Sequence, residues 1–199
     1  MIRLAAHMVM ALIAGVTATV ASAQNFSDSY NFLKGVRERD GQAVTDILNK
    51  PGTTVINSRD AGNGETALQI VVARQDLTWL SFLLGKGADP NIGDSAGNTP
   101  LMAAVEANFD DGVRRLLASR ADINRSNRSG ETPLIRAVQR RNLPMVRLLI
   151  ANGADPDRRD LLAGMSARDY ARADKRTPQI LEAMASAKPK LAPGAAGPR

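Results

Sequence analysis

Apolar residues recur along this chain in a pattern that repeats at a fixed interval. A period of 33 residues separates Thr66, Thr99 and Thr132, and each threonine is followed by two apolar series at helical spacing and a closing turn. Each period therefore predicts two short antiparallel helices and a protruding loop. A fixed period of this size indicates stacked structural repeats, because one such unit cannot bury its apolar faces alone.

Residues at the ends of each unit support these boundaries. Threonine is a good N-cap, and Pro100 and Pro133 stand at the first helical position, where no backbone N–H is needed. Gly87 and Gly153 suit a left-handed position just past the second helix. Arg120 stands at the same place in the middle repeat, where a positive φ would cost about 1 kcal/mol, so we interpret this repeat as the least stable.

A four-residue motif opens the three clearest units: GETA at 64–67, GNTP at 97–100 and GETP at 130–133. With the 33-residue period, it resembles the signature of the ankyrin-repeat family. The resemblance covers residues 29–185 and implies an all-α, ankyrin-repeat solenoid of about five stacked helix-turn-helix units with protruding loops. The signature His is replaced by Gln69, Met102 and Ile135, so the hydrogen bonds that it makes in the family are expected to be missing.

The units of this domain are predicted at successive positions. They are a capping repeat at about 29–57, repeats at about 64–96, 97–129 and 130–162, and a degenerate terminal repeat at 164–185. A polar lead-in at 24–28 precedes them. Residues 186–199, rich in Pro, Gly and Ala, are expected to form a disordered tail.

The first 23 residues have the three regions of a secretory signal peptide. Arg3 gives a positive start, an apolar stretch follows, and an A-x-A site ends at Ala23. Cleavage before Gln24 and export to a bacterial periplasm are therefore expected, since a chain without cysteine needs no disulfides there. Secretion by a eukaryotic cell is one alternative. An uncleaved membrane anchor is another, because the uncharged run 4–27 is long enough to span a bilayer.

Composition excludes most catalytic chemistry. The chain of 199 residues has no cysteine, and its one histidine, His7, lies in the predicted signal peptide. The mature chain therefore cannot build a His- or Cys-dependent nucleophile or a Cys/His zinc site. It also has no phosphate-binding glycine loop. We predict a protein that is not an enzyme, with no catalytic residue, cofactor or metal.

Two features are interpreted as structural although each could suggest a site. Trp79 lies in the apolar stripe of its helix, which favours a buried packing role over binding. Asp110 and Asp111 stand at a turn, where carboxylates favour the start of the following helix rather than a metal.

Charge indicates the kind of partner. The formal net charge is +6 for the whole chain and +5 once Arg3 is removed. A basic exported protein favours acidic partners. Nucleic acid is not expected, because export removes it from reach and no basic run is interleaved with aromatic residues. No membrane contact is expected after cleavage.

The resemblance also implies where a protein partner would bind. In the ankyrin family, partners are generally bound by residues around the loop turn and late in the first helix. The matching positions are Arg59, Asp60, Glu65, Arg74, Asp94, Ser95, Asn98, Glu106, Arg125, Asn127, Arg128, Glu131, Gln139 and Arg140. Five arginines outnumber three glutamates here. We hypothesise a groove that binds an acidic protein surface through bidentate contacts. The alternative is a solvated polar face without a special role.

Three classes of function follow from these patterns. The first is an exported adaptor or protective partner of another periplasmic protein. The second is a secreted effector that binds a host protein, and the third is a membrane-tethered scaffold retained by an uncleaved N-terminus. The patterns specify neither a particular partner nor an oligomeric state.

Overall fold

The computed structural model describes residues 28–185 of the chain. The predicted signal peptide, its cleavage between Ala23 and Gln24, and the predicted tail lie outside the described residues. The α-helices are α1 at 28–38, α2 (Gly41–Leu48), α3 (Ala67–Ala73), α4 (Leu77–Gly85), α5 (Pro100–Glu106), α6 (Asp110–Ala118), α7 (Pro133–Gln139), α8 (Leu143–Ala151), α9 (Ala167–Ala173) and α10 (Pro178–Ala185). No strand forms between residues 28 and 185, so the all-α prediction is confirmed.

The helices form successive pairs that stack into a solenoid. Helices α3, α5, α7 and α9 pack one on the next and are called here the first-helix row. Helices α4, α6, α8 and α10 form the second-helix row, and each packs against its own first helix. Long loops connect the pairs. Short helices this close together bury their apolar sides only through their neighbours, as the repeat pattern predicts.

The predicted helix starts are confirmed. The side chain of Thr99 accepts a hydrogen bond from the Met102 backbone N–H at 3.3 Å, and Thr132 accepts one from Ile135 at 3.2 Å. The prolines that follow these threonines are the first residues of α5 and α7. The acidic pair discussed above occupies the first turn of α6, where it complements the helix dipole.

The closing turns also have the predicted conformation. Gly87 and Gly153 have φ values of 90° and 89°. Arg120 has a φ of 65° and is exposed. A side chain in this region costs about 1–2 kcal/mol, so the predicted strain is present in the middle repeat.

The residue at the family's His position corrects one expectation. Gln69 is 4% exposed, its Oε1 accepts from the Thr66 N–H at 2.7 Å, and its Nε2 donates to the Asn98 carbonyl at 2.6 Å. The prediction that such hydrogen bonds are missing is therefore wrong at this position. An amide supplies both a donor and an acceptor, which Met102 and Ile135 lack.

A single apolar core runs through the stack, with one departure from expectation. Leu68, Leu101 and Leu134, at equivalent positions of the first-helix row, are at most 1% exposed. Trp79 was expected to be buried, but it is half-buried. Its ring packs edge-on to Phe82, with centroids 5.8 Å apart, and the Arg74 guanidinium lies 5.5 Å from its centroid. The arginine covers the face that the helices leave open.

Candidate binding surface

The loops between repeats end in tips that are built on one polar side chain each. The residues at this position are Asp60, Asp94, Asn127 and Asp160, and the oxygen of each accepts backbone N–H groups from its own tip. Asp94, for example, accepts from Ala96 at 2.8 Å and from Asn98 at 2.9 Å. Such side chains stabilise tight turns. The candidates Asp94 and Asn127 are thus engaged in shaping the tips.

Backbone hydrogen bonds join successive tips. They run from Ser95 N–H to the Asn63 carbonyl (2.9 Å), from Arg128 N–H to the Ala96 carbonyl (3.0 Å) and from Leu161 N–H to the Ser129 carbonyl (2.9 Å). Each tip therefore donates to the tip before it. This ladder fixes the spacing of the side chains that the tips present, so the surface needs little ordering on binding.

The carboxylates at the two ends of the ladder are held ionised. A hydrogen bond from Arg37, with a further one from the Gly62 N–H, lowers the pKa of Asp60 below its usual 3.8. Burial alone would raise the pKa of Asp160. However, hydrogen bonds from the Tyr170 hydroxyl, at 2.5 Å, and from backbone N–H groups of the tip outweigh burial and lower it.

Three candidate arginines are exposed and have no ion pair with any residue between 28 and 185. Arg125 lies two residues before the third tip, Arg128 lies on it, and Arg140 caps the end of α7. Each guanidinium carries five N–H donors. No side chain or carbonyl of residues 28–185 accepts a hydrogen bond from them. These groups remain available to a partner.

Arg136 contacts two of the candidate residues, although the sequence did not place it among them. Its Nη1 lies 3.0 Å from Glu106 and its Nη2 lies 2.9 Å from Glu131, so one guanidinium pairs with two candidate acids. Gln139 also donates to Glu131 at 3.3 Å. A charged residue between the apolar residues Ile135 and Ala137 is the sequence signal that could have identified it. Arg136 thus compensates one of the two negative charges of Glu106 and Glu131 and engages both side chains.

The remaining candidates are partly engaged within the stack. Arg59 donates to the Gly64 carbonyl at 3.2 Å but is exposed. Arg74 is half-buried and donates to the Val36 carbonyl at 2.6 Å, which joins two repeats. The side chains of Glu65 and Ser95 make no ion pair or hydrogen bond with any residue in 28–185.

The described residues contain neither a cluster suited to a metal ion nor a membrane-spanning helix. No group of three or more His, Cys, Asp or Glu side chains there could hold a metal ion. No helix between residues 28 and 185 is both long and apolar enough to cross a bilayer.

Comparison with known proteins identifies the repeats. Two family models match, one described as ankyrin repeats (3 copies) at residues 32–127 and one as ankyrin repeats (many copies) at residues 116–171. The chain is also similar to the potassium channel AKT2 of Oryza sativa subsp. japonica, with 36% identity over 83 residues. That match spans 42% of this chain and only 9% of the channel.

Proposed function

The chain belongs to the ankyrin-repeat family, whose repeats serve as protein–protein interaction modules, and we propose that this module binds an acidic protein surface. The observation that carries the proposal is the exposure of Arg125, Arg128 and Arg140 without an ion pair in the described part of the chain. Arg136, by contrast, is held by two glutamates. Guanidinium groups pair with carboxylates through two parallel hydrogen bonds, which gives both affinity and orientation.

Charge on the first-helix row and the tips supports this partner. Because Arg136 engages both Glu106 and Glu131, the charged side chains of the surface that have no ion pair among residues 28–185 are mainly cationic. An acidic partner would be attracted over several ångströms before contact, which raises the association rate and makes it sensitive to salt. The potassium channel that shares part of the repeat region contributes no partner to the proposal.

We further propose that the protein is exported and meets its partner in the periplasm. The support is the order of a positive start, an apolar stretch and an A-x-A site before Gln24. A secreted effector would use the same surface on a host protein, and an uncleaved N-terminus would give a tethered scaffold. Cell fractionation with N-terminal sequencing distinguishes these three. Gln24 as first residue in a periplasmic fraction supports the proposal, and Met1 in a membrane fraction contradicts it.

Partner capture tests the binding surface. The variant Arg125→Gln/Arg128→Gln/Arg140→Gln should retain at least about tenfold less partner than wild type. The reason is that each hydrogen bond to a charged group contributes about 1.5–3 kcal/mol. Far-UV circular dichroism should stay unchanged, because none of the three side chains makes an intramolecular ion pair with a described residue.

A matched control removes the same charge elsewhere. Arg114 and Arg147 lie exposed on the second-helix row, and Arg120 lies just past the end of α6. The triple substitution of these three to Gln should leave capture unchanged. Equal loss in both variants would show that only net charge matters, and unchanged capture by the first variant would refute the proposed surface.

A further inference from the structure

The last tip of the stack, residues 160–164, is a structural copy of the first tip, residues 60–64. Both tips start on an aspartate whose backbone N–H closes the loop by a hydrogen bond to a backbone carbonyl. Asp60 donates to the Glu65 carbonyl at 2.8 Å, and Asp160 donates to the Met165 carbonyl at 3.0 Å. In both, the arginine before the aspartate donates to the carbonyl of the glycine that ends the tip: Arg59 to Gly64 at 3.2 Å and Arg159 to Gly164 at 2.6 Å.

The two tips differ in what covers them. In the first tip, the carbonyl of Asn63 accepts the Ser95 N–H, and this nitrogen lies 2.7 Å from where a Cβ on Gly64 would be. The equivalent acceptor in the last tip is the Ala163 carbonyl, to which no residue between 28 and 185 donates. No atom of residues 28–185 lies within 4 Å of a Cβ built on Gly164. The last tip is therefore an open copy of a position that a backbone N–H fills elsewhere.

Apolar and basic side chains surround this open position. Leu161 and Leu162 are 75% and 81% exposed, where the first tip has an alanine and a glycine. Arg158, just before the last tip, is exposed and has no ion pair within residues 28–185. Arg125, just before the neighbouring tip, and Arg128, on that tip, likewise have no ion pair within these residues. Exposed leucines beside cations fit a segment that carries both apolar and acidic residues.

A peptide fits this site better than a membrane. Insertion of the leucines into hydrocarbon would take the unpaired Ala163 carbonyl with them, and a carbonyl without a hydrogen bond is strongly unfavourable there. An extended peptide instead brings the missing N–H, as strand addition does at an open sheet edge.

We propose that the last tip binds an extended acidic segment of the partner protein. The segment donates a backbone N–H to the Ala163 carbonyl, covers Leu161 and Leu162 with an apolar side chain, and pairs its carboxylates with the neighbouring arginines. The inference deepens the proposed function and rests on it, but it names a site at one end of the stack that the arginine variants above do not isolate.

A defined peptide tests the site. Acetyl-Asp-Val-Glu-Val-Asp-amide, titrated into the isotope-labelled full chain, should shift the amide NMR signals of residues 161–165. N-methylation of all five residues removes their backbone N–H donors and should weaken binding several-fold, as expected for a lost hydrogen bond. The variant Leu161→Ser/Leu162→Ser should weaken it at least about tenfold. Leu77→Ser, which changes a leucine 40% exposed on α4, should have no effect.

Several results would overturn the inference. They are a peptide that does not bind, a peptide that shifts only signals around Arg140, an N-methylated peptide that binds equally well, and contacts of residues 186–199 with Leu161 in the free chain. Leucine-dependent binding to vesicles of phosphatidylcholine and phosphatidylglycerol in equal parts, without peptide binding, would also overturn it in favour of a lipid surface. Loss of partner capture by the arginine variant but not by the leucine variant would refute this site and leave the proposed function standing.

Discussion

The glycines that end the tips allow the stacking of repeats to be tested one contact at a time. Gly130 has a φ of 78° and Gly164 has a φ of 65°, so alanine meets similar backbone strain at both positions. A Cβ on Gly130 would lie 2.6 Å from the backbone nitrogen of Leu161 and 2.7 Å from its Cγ, whereas a Cβ on Gly164 meets no atom of the described residues within 4 Å. The difference between the two alanine variants therefore isolates the contact between neighbouring tips.

The expected losses follow from three contributions to the free energy of unfolding. A left-handed alanine costs about 1–2 kcal/mol, which applies to both variants. In Gly130→Ala, the backbone clash adds about 1–3 kcal/mol and weakening of the hydrogen bond from Leu161 to Ser129 adds about 1 kcal/mol. Gly164→Ala should thus lose about 1–2 kcal/mol and Gly130→Ala about 3–6 kcal/mol.

Urea unfolding followed by far-UV circular dichroism measures both values. The midpoint should fall more in Gly130→Ala, and an unchanged slope would show that the stack still unfolds as one unit. A lowered slope in that variant would show that the last repeat separates from the others, which the contact also predicts. Equal losses in the two variants would refute the conclusion that neighbouring tips support each other.

Three further predictions use single side chains. Arg136→Met should lower the free energy of unfolding by about 1–3 kcal/mol, because it leaves two carboxylates unpaired, while Arg140→Gln should stay within about 0.5 kcal/mol of wild type in the same urea assay; equal effects would contradict this. Arg120→Gly should raise the free energy of unfolding by about 1 kcal/mol by relieving a positive φ, and a loss of stability would argue against strain there. The pKa of Asp160 is lowered in the folded chain. Its contribution to the free energy of unfolding is therefore complete above the usual pKa of 3.8 and is lost as the pH falls through the pKa of the folded state. The midpoint temperature of thermal unfolding should therefore fall less for Asp160→Asn than for wild type between about pH 5 and about pH 2. An identical pH dependence of the two midpoints would contradict a lowered pKa of Asp160.

The periodic features of the fold were predictable because they depend on local chemistry. A threonine N-cap followed by Pro133 determines where α7 starts, and glycine past α8 determines where that helix turns away. The turn inside each repeat was not predictable in the same way. Its left-handed residues are Arg39, Gln75, Asn108 and Arg141, with φ between 53° and 60°. No common residue type marks them, and the packing of the two helices imposes the conformation on ordinary side chains.

The candidate surface was predictable only in outline. Family positions and charge identified Arg125 and Arg128. Both are exposed and make no ion pair with a residue between 28 and 185, so their availability does not depend on how the repeats stack. The ion pair of Arg136 with Glu106 depends on how α5 stacks on α7, and that register is a property of the folded array. The same is true of the hydrogen bonds between tips, since backbone groups carry no signal in the sequence.

Hydrogen–deuterium exchange of the chain with and without its captured partner tests the assigned surface most directly. We predict that binding slows exchange in the segments 94–98 and 125–131 and in the last tip, while exchange in the second-helix row is unchanged. Slower exchange confined to α4, α6 and α8 would place the partner on the opposite side and contradict the account.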